Sequence, residues 1–189
     1  MKRKIAKLLD DLLPGHRLRH RVAEARPRLY RIAWSWCHDS ALADDLAQET
    51  LTRALAALDE LRDPQRLDVW LTRILVNVFR DQQRRTTPET GWEGELASEA
   101  DSPDQAVLRQ DLVTRTRAAI ARLGEDQRQV LTLVDLADFS YADAARALDV
   151  PVGTVMSRLA RARLRLRELL EADLIPSAER RVVPLRKRS

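Results

Sequence analysis

The chain has 189 residues, enough to bury a hydrophobic core in one domain or in two small ones. Glycine is scarce while alanine, leucine and arginine are abundant, which predicts an all-α fold. A single cysteine, Cys37, excludes an internal disulfide and a multi-cysteine zinc site, and we expect it to pack within a helix.

The net charge of +4 is unevenly distributed along the chain. Residues 1–21 and 151–170 are basic, whereas residues 86–104 carry six acidic side chains and no basic one. This segregation favours a nucleic-acid-binding segment and an acidic connector. No apolar stretch is long enough to span a membrane, so we expect a cytoplasmic protein without membrane insertion.

Residues 1–21 form a basic extension with the leucine spacing of an amphipathic helix, broken at Pro14 and Gly15. We expect it to be frayed, with contact to an acidic partner or a membrane surface as the alternatives. His16 and His20 have the spacing of a helical metal-binding pair, but no HExxH pattern accompanies them. We therefore expect no metal site and no cofactor.

Two helices are predicted at residues 27–37 and 42–58. Their core faces are Leu29, Ile32, Ala33 and Trp36 in the first helix, and Ala43, Ala47, Leu51, Ala54 and Leu58 in the second. The second helix also carries a polar stripe without a nearby lysine, formed by Asp45, Gln48, Glu49 and Thr52. Such a stripe is usually solvated, and the alternative is a docking surface for a basic partner.

A third helix is predicted at residues 69–85, after a polar break at residues 59–67. Its core side is formed by Leu71, Ile74, Leu75 and Val78, and its opposite side by Trp70, Arg73, Asn77, Arg80 and Arg84. An aromatic ring, an amide and three arginines suit single-stranded nucleic acid, whose bases stack or hydrogen-bond and whose phosphates bind guanidinium groups. A core tryptophan beside a solvated arginine face fits the same pattern.

The acidic segment of residues 86–104 is rich in proline, glycine and serine, which predicts a flexible linker. It would join two small helical domains at residues 22–85 and 105–170. Helices are predicted at residues 105–123 and 127–136, and the basic tail of residues 171–189 is expected to be disordered.

Residues 140–166 predict a helix-turn-helix, in which Ser140 caps the first helix and Pro151 and Gly153 open the second. The second helix has an apolar face and a polar face that suits phosphates and base edges. The apolar face is Val155, Leu159, Ala162 and Leu166, and the polar face is Thr154, Ser157, Arg158, Arg161 and Arg165. The alternative is a solvated arginine helix.

Three motifs in this order resemble the extracytoplasmic-function (ECF) group of the sigma-70 family of bacterial RNA polymerase sigma factors. They are DDLAQET at 44–50, WLTRILVN at 70–77 and VGTVMSRLARAR at 152–163. The resemblance covers roughly residues 27–85 and 104–170. It implies a sigma factor that binds core RNA polymerase, directs it to promoters through −35 and −10 elements, and promotes promoter melting for transcription initiation.

The resemblance also assigns roles to individual positions. It implies contact with the polymerase β′ clamp coiled coil by Asp45, Gln48 and Glu49, binding of −10 DNA by Trp70, Arg73, Asn77, Arg80 and Arg84, and binding of −35 DNA by Thr154, Ser157, Arg158, Arg161 and Arg165. The implied partners are core polymerase, including its β flap, promoter DNA and an anti-sigma factor.

The chain departs from the family pattern at three places. Gly124 stands where proline is usual, Ala137 and Asp138 stand where glycine is often found, and Met156 stands where a basic residue is often found. Because Met156 puts an apolar side chain near the DNA side, the −35 specificity stays open.

Two other classes of function compete with the sigma factor interpretation. A stand-alone helix-turn-helix regulator would account for residues 140–166 but would leave the two stripes at residues 45–52 and 70–84 without a role. An enzyme is disfavoured because the sequence has no glycine-rich phosphate loop, no cluster of His, Cys and Asp, and no nucleophile motif.

Overall fold

The structure is a computed structural model that describes residues 16–86 and 105–174, with side chains described at 16–85 and 112–172. All the regular structure in these two ranges is helical, which confirms the predicted all-α class. Most of the basic extension, the linker at residues 87–104 and the tail beyond residue 174 lie outside the described residues, and so do the predictions made for them.

Four α-helices form the described part of the amino-terminal half, residues 16–86. They are α1 (His16–Glu24), α2 (Arg26–Cys37), α3 (Ser40–Ala56) and α4 (Leu67–Thr86). Pro27 occupies the first turn of α2, where its missing N–H costs no helical hydrogen bond. Asp39 caps α3, because its Oδ1 accepts a hydrogen bond of 3.0 Å from the Leu42 N–H. Two 3₁₀ turns, Leu58–Glu60 and Pro64–Arg66, connect α3 to α4.

The core of this half follows the predicted faces of α2 and α3. Every predicted core residue of those two helices is buried. In α4 the buried face is wider than predicted, since Val76 and Phe79 are buried as well. Ile74, which was predicted to lie in the core, is only half-buried. The ring of Phe79 lies 5.5 Å from that of Trp36, so α4 is packed directly against α2.

The carboxyl-terminal half contains α5 (Gln105–Ala121), α6 (Glu125–Leu131), α7 (Tyr141–Leu148) and α8 (Val152–Leu174). The helix predicted at residues 127–136 is instead α6 followed by a π-helical segment, Thr132–Leu136. Its end is marked by the Ala137 N–H, which donates to the Thr132 carbonyl at 2.9 Å. Asp138 follows with a left-handed φ of 58°.

The two halves pack against each other, and their buried residues form one hydrophobic cluster. The largest contact between the halves joins α4 to α7. The sequence predicted two helical domains joined by a flexible linker, and the described residues of these two domains lie against each other.

Candidate nucleic-acid interface and acidic docking surface

The acidic stripe of α3, formed by Asp45, Gln48 and Glu49, lies on the outer side of the helix. All three side chains are exposed, while Leu46, Ala47 and Thr50 on the other side are buried. The helical period of 3.6 residues separates the two sets. The stripe is therefore a convex surface, which suits contact with another macromolecule better than enclosure of a small substrate.

The absence of a nearby lysine suggested that Glu49 has no basic neighbour, but the structure places an arginine beside it. Arg53, one helical turn further on, donates to Glu49 at 2.7 Å and to Asp81 of α4 at 2.8 Å. The hydrogen bond from Arg53 to Asp81 is the main cause that lowers the pKa of Asp81 below its ordinary value. The spacing of Glu49 and Arg53 is visible in the sequence, but the bridge from Arg53 to α4 depends on tertiary packing.

The arginine stripe of α4 consists of Trp70, Arg73, Asn77, Arg80 and Arg84. Arg73, Asn77 and Arg84 are exposed, and Arg84 forms an ion pair with Asp81. Trp70 is half-buried and packs against the core, so the structure favours the core interpretation for part of its ring.

The arginine stripe faces the end of α7 in the other half. Arg80 Nη2 donates to the Leu148 carbonyl at 3.1 Å, and Arg73 Nη2 lies 3.6 Å from Asp149 Oδ1. Asp149 ends α7 with a left-handed φ of 58°. Both arginines therefore contact the carboxyl-terminal end of α7. A polar surface that suits single-stranded DNA is thus partly covered by the helix-turn-helix.

Further contacts between the halves surround this one. Arg28 of α2 forms an ion pair with Asp68 at 2.6 Å, donates to the Ala137 carbonyl at 3.0 Å, and lies over the ring of Phe139 at 4.9 Å. Gln83 donates to Glu125 at 3.0 Å. No local pattern in the sequence reveals this role of Arg28, because its partners in the other half are distant in the chain.

Burial alters the pKa of two ionisable groups at the end of α2. Desolvation, with the positive charge of Arg128 from α6 as a second cause, lowers the pKa of His38 to about 4. Burial also raises the pKa of the Cys37 thiol, whose Sγ donates to the Asp39 carbonyl at 3.3 Å. Cys37 packs against the core, as expected.

The helix-turn-helix forms as predicted and consists of α7 and α8. Ser140 caps α7 by accepting from the Asp143 N–H at 3.1 Å, and its hydroxyl donates to the Asp143 carboxylate at 2.5 Å. Val155, Leu159 and Ala162 of α8 are buried, and Leu166 is half-buried.

The recognition face of α8, defined as Thr154, Ser157, Arg158, Arg161 and Arg165, points away from this core. Arg158 forms an ion pair with Asp126 at the start of α6, at 2.6 Å, and Arg165 pairs with Glu168 at 2.9 Å. Arg161 is exposed. The face combines hydroxyl and guanidinium donors, which bind phosphate oxygens and the edges of guanine.

Over the residues that the structure describes, no group of three or more His, Cys, Asp and Glu side chains is arranged to hold a metal ion. Within the same residues, none of the helices has the length and apolarity to cross a membrane.

The sequence matches two protein families whose positions coincide with the two halves. Residues 22–89, which include α2, α3 and α4, match Sigma-70 region 2. Residues 114–166, which include α6, α7 and most of α8, match Sigma-70 region 4.

Curated relatives agree with these matches. The ECF RNA polymerase sigma factor EcfG of Rhodopseudomonas palustris is 39% identical over 157 residues, covering 82% of this chain and 86% of the relative. The RNA polymerase sigma-H factor of Pseudomonas aeruginosa is 35% identical over 138 residues, covering 67% and 72% of the two chains.

Two solved structures share the fold. The sigma factor RpoE of Bartonella quintana, in complex with the anti-sigma factor NepR, has a TM-score of 0.67 and 31% identity, covering 82% of this chain and 96% of that one. CnrH, in complex with the cytosolic domain of CnrY, has a TM-score of 0.61 and 29% identity, covering 82% and 88%.

Proposed function

Because this chain belongs to the ECF group of the sigma-70 family, we propose that its acidic and basic surfaces divide the steps of transcription initiation between them. As an ECF sigma factor, the chain binds core RNA polymerase and promoter DNA and directs initiation. It acts as a regulatory subunit in the bacterial cytoplasm, and the polymerase carries out the chemistry.

The acidic stripe of α3 docks on the basic coiled coil of the β′ clamp. Support comes from its exposure and from Asp45, which forms no ion pair with any residue that the structure describes and is available to a partner. Arg53 holds Glu49 in place at the edge of the stripe. The carboxyl-terminal half contacts the β flap.

The arginine stripe of α4 binds the unpaired −10 bases, and the recognition face of α8 binds the −35 duplex. The chemistry of the side chains supports this division. The α4 stripe offers an amide, guanidinium groups and part of an aromatic ring for exposed bases. The α8 face offers donors on a single helix, which fits the major groove of intact DNA.

The observation that carries the mechanism is the contact of Arg73 and Arg80 with the end of α7. We infer that this closed arrangement is the free form of the chain. The α4 stripe cannot offer Arg73 and Arg80 fully to DNA until α7 moves away. Docking on the polymerase separates the halves and fixes their spacing, so that the two DNA surfaces act together.

An anti-sigma factor is a further proposed partner. The structurally similar sigma factor RpoE is seen with the anti-sigma factor NepR, and CnrH is seen with the cytosolic domain of CnrY. A partner of this class would keep the chain from the polymerase until a signal releases it.

In vitro transcription from genomic fragments with purified core polymerase tests the function directly. Addition of the chain should start transcription at a defined set of promoters. The competing stand-alone regulator would instead protect a palindromic site in a footprint without polymerase, and that outcome together with no transcription would overturn the proposal.

The docking surface is tested by reversing one charge. Asp45→Lys should weaken binding to core polymerase on the order of tenfold or more, because like charges would face each other across the interface. Asp59→Lys makes the same charge change in the exposed 3₁₀ turn and should leave binding unchanged. Equal losses in both variants would argue for a general electrostatic effect, and normal binding of Asp45→Lys would refute the docking assignment.

A further inference from the structure

An apolar edge runs along the start of α8, beside the recognition face. Val152 and Met156 are 43% and 52% exposed, and Ala160 is exposed as well. Their spacing of four residues places them on one side of the helix. Large apolar side chains in water that are aligned in this way, rather than scattered, indicate a contact surface.

The apolar edge and the arginines belong to one continuous surface. Ser157 lies between Met156 on one side and Arg161 on the other, and it is exposed. The buried side of the helix, with Val155 and Leu159, lies behind them. Because an α-helix turns about 100° per residue, Met156 and Arg158 lie on opposite flanks of Ser157, and a duplex centred on Ser157 meets both of them.

The position of the edge within α8 points to DNA bases. Residues in the first turns of a recognition helix reach the base edges, whereas later residues leave the groove. Val152 and Met156 belong to the first two turns. Gly153 leaves the entry open, because a Cβ built on it would meet nothing within 4 Å.

The only apolar group that base pairs display in the major groove is the C5 methyl group of thymine. We propose that Met156, with Val152 beside it, contacts a thymine methyl group in the −35 element. This contact makes thymine, on either strand, a determinant of promoter choice for this chain. The inference rests on the proposed role of α8 as the −35 reader and adds the base that its apolar edge selects.

Replacement of thymine by deoxyuridine tests the contact, since it removes the methyl group and keeps every hydrogen-bonding group. Holoenzyme, formed from core polymerase and the full chain, is bound to a promoter found by transcription, and each −35 thymine is replaced in turn. At the contacted position the affinity should fall about fourfold, the equivalent of one buried methyl group. Met156→Gln holoenzyme should bind the duplexes with thymine and with deoxyuridine at that position with equal affinity.

Two control variants separate this contact from general effects. Met156→Leu keeps an apolar side chain and should retain the discrimination. Leu164→Ala removes a side chain that is 55% exposed, two turns further along the same helix, and should also retain it.

Three results would overturn the inference while leaving the function intact. The first would be a wild-type holoenzyme that transcribes but shows no deoxyuridine effect, or a −35 element with no thymine on either strand. The second would be a deoxyuridine effect that persists unchanged in Met156→Gln. The third concerns binding to the polymerase. Met156→Gln weakens binding to core polymerase and not to DNA, which would make the edge a protein contact. Absence of transcription by the wild-type chain would instead refute the proposed function itself.

Discussion

Left-handed backbone marks the ends of several helices at the scale of single residues. His38, Asp138 and Asp149 have φ values of 54°, 58° and 58°. Glycine adopts this conformation most easily, and aspartate tolerates it because its short polar side chain bonds locally. The glycine that the family often has near Asp138 therefore has a physical explanation, and the departure in this chain preserves the turn.

The other departure, Gly124, leads to a stability prediction. Gly124 has a φ of −59°, which matches the fixed angle of proline, and its carbonyl accepts the Arg128 N–H at 2.9 Å, which proline would preserve. Gly124→Pro should raise the free energy of unfolding by about 0.4–1 kcal/mol, because the unfolded chain loses conformations. Urea denaturation measures the change. A destabilised variant would mean that Leu123 cannot adopt the backbone that a following proline requires.

The half-buried imidazole of His38 predicts a dependence of stability on pH. Its folded pKa of about 4 lies below its ordinary value of 6.5, so below pH 6.5 the unfolded chain binds a proton that the folded chain excludes. Its contribution to stability is complete above pH 6.5 and is lost as the pH falls toward 4. Because the imidazole is partly exposed, solvent screening reduces this loss between pH 7 and 4.5 to about 1–2 kcal/mol.

Comparison with His38→Asn isolates this contribution, since asparagine also tolerates the left-handed backbone and does not titrate. Urea denaturation at both pH values gives the free energies of unfolding. The variant should lose less stability on acidification than the wild type. Parallel losses would show that His38 titrates normally in the folded chain.

At the scale of elements, α8 holds its arginines in ion pairs before DNA arrives. Arg158 pairs with Asp126, Arg163 with Asp135 and Arg165 with Glu168. At least one side chain of each pair is more than half exposed, although that of Arg158 is only 22% exposed. Ion pairs open to water contribute only about 0–1 kcal/mol each. A phosphate or a guanine can therefore replace the carboxylate at little cost, while the pair keeps the side chain near the surface that it serves.

Arg158 is the residue of α8 at which base reading and phosphate binding are best distinguished. Arg158→Ala should reduce the discrimination between the native −35 element and a mutated one by about 1–3 kcal/mol, if the guanidinium binds a guanine bidentately. Binding of holoenzyme to both duplexes measures it. Arg167→Ala removes the same charge outside the recognition face and should keep the discrimination. An equal loss on both duplexes in Arg158→Ala would identify a phosphate contact.

At the scale of the whole molecule, the closed arrangement links polymerase binding to DNA binding. The same α4 surface that would hold −10 DNA supplies Arg73 and Arg80 to the contact with α7. The two uses compete for the same two side chains. Free chain should thus bind promoter DNA weakly, although both DNA surfaces are already folded.

A reversible crosslink tests this competition. Gln83 and Glu125 face each other across the halves at 3.0 Å, and neither belongs to the proposed DNA surfaces. Gln83→Cys and Glu125→Cys in a Cys37→Ala background, joined by a short bis-methanethiosulfonate, should form no open complex with core polymerase. Reduction should restore it, and each single-cysteine variant treated alike is the control. Normal open complexes in the crosslinked form would contradict the need for opening.

The sequence by itself determined the helices, their buried faces and the order of the polar surfaces, because helical periodicity and capping act within a few residues. The bounds of α2, the core of α3 and the cap at Ser140 were all readable in this way. The tertiary structure alone decided which of these surfaces is covered. Arg28 binds the Ala137 carbonyl from 109 positions away, and partly desolvated His38 meets the positive charge of Arg128 from the other half. Such effects depend on how whole elements dock and on desolvation summed over many neighbours, neither of which leaves a local pattern in the chain.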